Sequence, residues 1–140
     1  MGKGKEKAVP IVLRERDGRK HILVFRHPTE GVQMVKGNID DGESASEAAE
    51  RELREESGLD DVVGIDSCGE WKSEEDGDLW HLFICRLSSD PPDEWDHFTH
   101  DGGGLTFSFF WHDLEEAPGV DWEDAFAEAL PKIRALCPTE

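Results

Sequence analysis

The sequence predicts an α+β or mixed-sheet sandwich fold, and three observations predict it. Several β-prone runs flank one long stretch of helix formers. That stretch opens on a helix-capping sequence and closes on glycine. The chain ends in a second segment with apolar residues at helical spacing. At 140 residues the chain is one domain long and has enough residues to bury a core.

The elements follow in order. Residues 1–7 read as a basic, flexible tail, and residues 8–140 as a single domain. Residues 8–14 and 21–27 are β-prone, with Asp17-Gly18 between them as a hairpin turn. Residues 32–35 form a short strand, and residues 37–42 a loop. Ser44-Ala45-Ser46-Glu47 has the form of a capping box, in which side chain and backbone satisfy each other's exposed groups. Gly58 is placed to end that helix, because glycine tolerates the left-handed conformation beyond the last turn. Glu47–Arg51 and Glu50–Arg54 are i,i+4 pairs in the favourable orientation. Residues 61–65 and 68–72 read as extended, and residues 73–78 as an acidic turn. Residues 79–87, LWHLFICRL, are strongly β-prone. Residues 88–104 read as a loop with two prolines and a glycine run, which could serve as an access lid. Residues 105–112 form another aromatic strand. Residues 121–136 predict a C-terminal helix with Trp122, Phe126, Ala129, Leu130 and Ile133 on one face, kinked or split at Pro131.

Hydrophobic residues make up 36% of the chain and charged residues 34%. That is soluble but too apolar for a disordered chain. The net charge of −18 argues against binding of a nucleic-acid polymer, which needs clustered Lys and Arg, and against an anionic membrane surface. Cys68, Cys85 and Cys137 form no CxxC pair, so neither a disulfide framework nor a structural zinc site is expected. A reducing cytoplasm fits that cysteine usage. The apolar stretch after MGKGKEK is too short for a signal sequence, Glu6 breaks the myristoylation pattern, and no run reaches membrane-spanning length. The expected location is cytoplasmic.

The central helix carries the chemistry. At about 100° per residue, Ala45, Ala48, Ala49 and Leu53 form one apolar stripe, with Glu47, Glu50 and Arg54 opposite. Glu52 and Glu56 project into the apolar sector, and Glu55 lies at its edge. These three carboxylates are expected to converge on one patch. Buried like charges cost several kcal/mol, on the order of a domain's whole stability. Pairing with nearby Arg or Lys would relieve them, and so would a hard divalent cation. Oxygen-only donors suit Mg²⁺, Mn²⁺ or Ca²⁺ rather than zinc. Mg²⁺ commonly completes its shell with phosphate oxygens, so the helix suggests a site for a phosphorylated ligand.

Residues 37–59, GNIDDGESASEAAERELREESGL, resemble the Nudix box, G-x5-E-x7-R-E-U-x-E-E-x-G-U, where U is bulky and aliphatic. Gly37, Glu43, Arg51, Glu52, Leu53, Glu55, Glu56, Gly58 and Leu59 meet every fixed position. The resemblance implies the Nudix fold, a mixed β-sheet sandwiched between α-helices. It also implies metal-dependent hydrolysis of a nucleoside diphosphate linked to another moiety, with Mg²⁺ as cofactor and Mn²⁺ as substitute. Glu52, Glu55 and Glu56 would be carboxylate ligands, with the Gly37 carbonyl as a further ligand. Arg51 would orient the glutamates, and Glu43 and Gly58 would be structural. Glu52 would be the general base inside the box. Glu94 is the candidate outside it, with Glu74 and Glu75 behind. Arg26 and Lys36 would face substrate phosphate. A homodimer is also implied, since relatives often pair.

Other residues keep two readings. Trp80, Trp95 and Trp111 could stack on a base or simply pack in the core. His97 and His100 could touch substrate or nothing. With the box acids intact, hydrolysis is the first reading, and a non-catalytic nucleotide-binding sensor of the same fold is the alternative.

Overall fold

The computed structural model describes residues 5–100 and 103–137. Nine strands and two helices follow in the order β1 (Glu6–Ile11), β2 (Leu13–Arg16), β3 (Arg19–His27), β4 (Gly31–Gln33), β5 (Gly37–Asn38), α1 (Ala45–Ser57), β6 (Val62–Lys72), β7 (Leu79–Leu87), β8 (Trp95–Thr99), β9 (Leu105–Asp113) and α2 (Asp124–Leu136) among the described residues. They form two sheets. One has the order β5-β1-β7-β6 and the other β2-β3-β9-β8, with β4 added to β3. Among the described strands, β1 and β7 pair in parallel and the remaining strand pairs are antiparallel.

The run expected at residues 8–14 is divided between the sheets. β1 ends at Ile11 and β2 begins at Leu13. Val12 is the corner, and its carbonyl accepts from the Leu23 amide at 3.0 Å. The Asp17-Gly18 turn forms as expected, with both residues at positive φ and Arg16 paired to Arg19 across it. That conformation matches the twist of the flanking strands. Within the tail expected over residues 1–7, Glu6 and Lys7 belong to β1 and the Lys5 amide donates to Asp78. Residues 1–4 lie outside the described residues.

Alternation along the strands sends side chains to opposite faces. Ala8 packs with Ala48 and Ala49 of α1. Its neighbour Val9 packs with Phe126, Ala129, Leu130 and Ile133 of α2. The two helices therefore cover opposite faces. A further cluster joins Leu53 of α1 to Leu23, Phe25, Phe107 and Phe109 of the second sheet.

Other expectations change as well. Residues 61–65 and 68–72 belong to one strand, β6, whose ladder is interrupted by two register shifts near Gly64 and Gly69. Such bulges read as breaks when only alternation is followed. The loop expected over residues 88–104 contains β8, whose pattern Trp-Asp-His-Phe-Thr carries too little apolar alternation to stand out. The terminal helix starts at Asp124, not 121, because Trp122 is held in a bridge to Val32. Pro131 does not split it. Pro131 is exposed, so the Ala127 carbonyl that loses its donor lies on the side of the helix open to solvent.

Candidate active site

The Nudix-like segment folds around a single guanidinium. α1 starts with the predicted capping box: the Glu47 amide donates to the Ser44 hydroxyl, and the Ser44 amide donates to the Glu47 carboxylate. Glu47 is thereby occupied. Among the described residues neither Glu47–Arg51 nor Glu50–Arg54 forms an ion pair. Arg51 turns instead toward the preceding loop and the last turns of the helix. It meets Glu43 at 2.7 Å, Glu52 at 2.9 Å, Glu55 at 3.2 Å and Asp40 at 3.5 Å, and it donates to the Asn38 carbonyl at 2.9 Å. Four carboxylates surround one cation.

Glu43 is bound on two sides. Arg51 donates to it with two nitrogens, and the Asp40 amide donates to it at 3.0 Å. These bonds favour the charged form and pull the Glu43 carboxyl down to about 2. In return, the hydrogen bonds and charges of Glu43 and Glu52 raise the Arg51 guanidinium above its ordinary value.

Glu52 and Glu56 are buried, at 7% and 8% exposure, in the sector that also buries Ala48, Ala49 and Leu53. Glu55 is 44% exposed. The wheel thus predicts the burial of all three. Their convergence is not found. Among the described residues, no three Asp, Glu, His or Cys side chains gather at metal-binding spacing. Arg51 is the physical reason, since it draws Glu52 and Glu55 toward itself. Gly37 lies directly over Glu52, and a Cβ there would collide with the Glu52 carboxylate. Gly58 closes the helix at φ 83°, its amide donating to the Arg54 carbonyl. A Cβ on Gly58 would also stand 2.9 Å from the His97 Nδ1.

Glu56 lines a cavity of about 290 Å³ together with Lys36, Gln33, Glu123, His27 and Phe107. The Lys36 ammonium sits 5.0 Å from the Trp80 ring and 5.2 Å from that of Phe126. Glu123 accepts from Gln33 at 3.2 Å. Burial raises its carboxyl, and the charge of Lys36 opposes that rise. Gln33 and Glu123 carried no signal in the sequence, because they come from separate elements and match no motif.

Arg26 and Glu94 line a different cavity, of about 560 Å³, with Asp96, Ser108 and Phe110. Arg26 pairs with Asp121 at 2.6 Å. Glu74 and Glu75 line a third cavity with Asp124 and Glu128. The three tryptophans pack rather than lie open. Trp80 is fully buried, Trp95 stacks on Phe109, and Trp111 carries the Arg14 guanidinium 4.2 Å from its centroid. His100 meets only Phe98 edge to face among the ring contacts of described residues. Of the glycine run, Gly102 lies outside the described residues.

A family model described as NUDIX domain matches residues 4–133. The chain belongs to the Nudix family. Solved Nudix structures share its fold. RenU, a Nudix hydrolase from M. smegmatis, superposes with a TM-score of 0.66 at 14% identity, over 100% of this chain and 91% of RenU. The NUDIX domain of Shewanella oneidensis NrtR, complexed with ADP ribose, gives 0.63 at 10% identity over 96% and 89% of the two chains. A nudix hydrolase family member from Chromobacterium violaceum gives 0.69 at 17% identity over 100% and 83%. At these identities the likeness extends to the fold. No match was found among curated proteins. Among the described residues of this Nudix protein, no helix is long and apolar enough to cross a membrane.

Proposed function

We propose that this Nudix protein is a divalent-metal-dependent pyrophosphohydrolase that cleaves the diphosphate linkage of a nucleoside diphosphate joined to another group. One observation carries the reading: a single guanidinium is shared by Asp40, Glu43, Glu52 and Glu55, beside a buried Glu56. The cluster keeps a large excess of negative charge made only of oxygen donors. That donor chemistry fits Mg²⁺ or Mn²⁺. The bare Cα of Gly37 leaves the Glu52 carboxylate in place beside the loop backbone, which also fits.

Glu52, Glu55, Glu56 and the Gly37 carbonyl would hold the ion. When bound, the ion withdraws charge from phosphoryl oxygens and offsets the repulsion between a polyanion and this acidic face. Arg51 sets the direction of Glu52 and Glu55. Glu43 holds Arg51 in turn. Lys36 shares a cavity with Glu56, which supports its role as a phosphate contact. Arg26 is committed to Asp121 and lines another cavity, which weakens the same role for it. Glu52 accepts the proton of the attacking water. Its burial at the box face favours it over Glu94, which is exposed in the other cavity.

The test is a phosphate-release screen over nucleoside triphosphates, dinucleoside polyphosphates, nucleotide sugars and ADP-ribose, with Mg²⁺ or Mn²⁺. The Glu56→Gln protein should lose at least about 100-fold in rate with its circular dichroism unchanged. An unaltered rate would sink the proposal. Binding without turnover across the panel would favour a sensor.

A further inference from the structure

The last four carbonyls of a helix have no partner within it. α1 ends one residue after Glu56, so their fate decides how firmly the Glu55 and Glu56 side chains are held. The Arg54 carbonyl accepts from the Gly58 amide at 3.0 Å. The Ser57 carbonyl accepts from the Trp95 indole Nε1 at 2.9 Å. The Glu55 carbonyl lies 3.2 Å from the His97 Nε2. A carbonyl oxygen can only accept, so Nε2 carries the proton and Nδ1 faces Gly58.

Both outside donors come from β8, and they stand two residues apart. Trp95 and His97 therefore point to the same face of the strand. The Trp95 ring is fixed by stacking on Phe109 at 5.1 Å and 10°. Phe109 in turn lies 5.1 Å from Phe25. A row of rings thus runs from β3 through β9 to the end of the box helix.

We propose that Trp95 and His97 are positioning residues. β8 clamps the last turn of α1 through two ring N–H donors and so holds Glu55 and Glu56 in the geometry that receives the divalent ion. This rests on the metal role of those glutamates given above. It also gives Gly58 a second reason to be glycine, because a side chain there would push His97 off the Glu55 carbonyl.

The full-length protein tests it with Trp95→Phe, His97→Ala and His97→Gln. Trp95→Phe keeps a ring to stack on Phe109 and removes the donor. His97→Gln keeps a side-chain N–H, and His97→Ala does not. Two quantities are read: amide hydrogen exchange in the last turn of α1, and Mn²⁺ affinity by calorimetry with the paramagnetic resonance spectrum of the bound ion. Trp95→Phe and His97→Ala should each speed exchange and weaken Mn²⁺ binding by about fivefold, the scale of one lost hydrogen bond. His97→Gln should return toward the unsubstituted protein. Unchanged Mn²⁺ affinity in both donor-deleting variants would overturn the proposal, even with faster exchange, since the clamp would then be only structural. If Trp95→Phe does not fold, the His97→Ala and His97→Gln pair decides alone. No Mn²⁺ binding by the unsubstituted protein would overturn the metal reading itself, and this inference with it.

Discussion

Arg51 is the residue on which the site is organised. One guanidinium holds the loop through Asp40, Glu43 and the Asn38 carbonyl, and the helix through Glu52 and Glu55. Glu43 is the partner most changed by it. Its carboxyl is depressed from 4.5 to about 2. A depressed carboxyl contributes stability that is fully present above the unfolded value and is lost as pH falls through the folded one. The contribution of Glu43 should therefore fade between pH 4.5 and about 2. In acid titrations followed by circular dichroism, Glu43→Gln should have a shallower loss of stability across that window. An acid limb identical to that of the unsubstituted protein would show that the pair adds nothing.

At the scale of the element, α1 is held at both ends by different means. Its N-terminus is closed locally by Ser44 and Glu47. Its C-terminus is closed by Gly58 and by two rings from β8, a strand nearly 40 residues away in the chain. The local cap has a known scale. Ser44→Ala should cost about 1 kcal/mol, seen as a lower urea midpoint with unchanged slope. No change in midpoint would mean that tertiary packing alone defines the start of the helix. α2 makes the contrasting case. Its N-cap Glu123 makes no side-chain cap bond, and its helix is carried by the burial of Phe126, Ala129, Leu130 and Ile133.

At the scale of the whole molecule, charge is the dominant property. With a net charge of −18, the compact state repels itself. The screening length shortens from roughly 30 Å at 0.01 M salt to about 8 Å at 0.15 M. The melting temperature, followed by intrinsic tryptophan fluorescence, should thus rise as NaCl increases over that range. A falling melting temperature would mean that the ion pairs of Arg51 with its carboxylates, of Arg14 with Asp93 and of Arg19 with Asp113 outweigh the general repulsion.

The sequence by itself determined the family signature, the capped helix and the misplaced glutamates, because all three are local. A capping box spans four residues, and a buried face follows from 3.6-residue periodicity. It also located most of β3, β7 and β9, whose apolar content is high. Only the tertiary structure decided the rest. Arg51 could have paired within its helix to Glu47, but the helix cap takes Glu47 and the preceding loop offers more carboxylates. Arg26 and Lys36 looked equivalent as phosphate contacts, yet of the two only Lys36 shares a cavity with Glu56. β8 was unreadable because its Trp-Asp-His-Phe-Thr pattern carries little apolar alternation, and its contacts with the end of α1 are made across space to backbone carbonyls. No pattern of neighbours in the chain encodes such a partner, and the fold alone brings Trp95 and His97 to the end of the helix that the sequence had already marked.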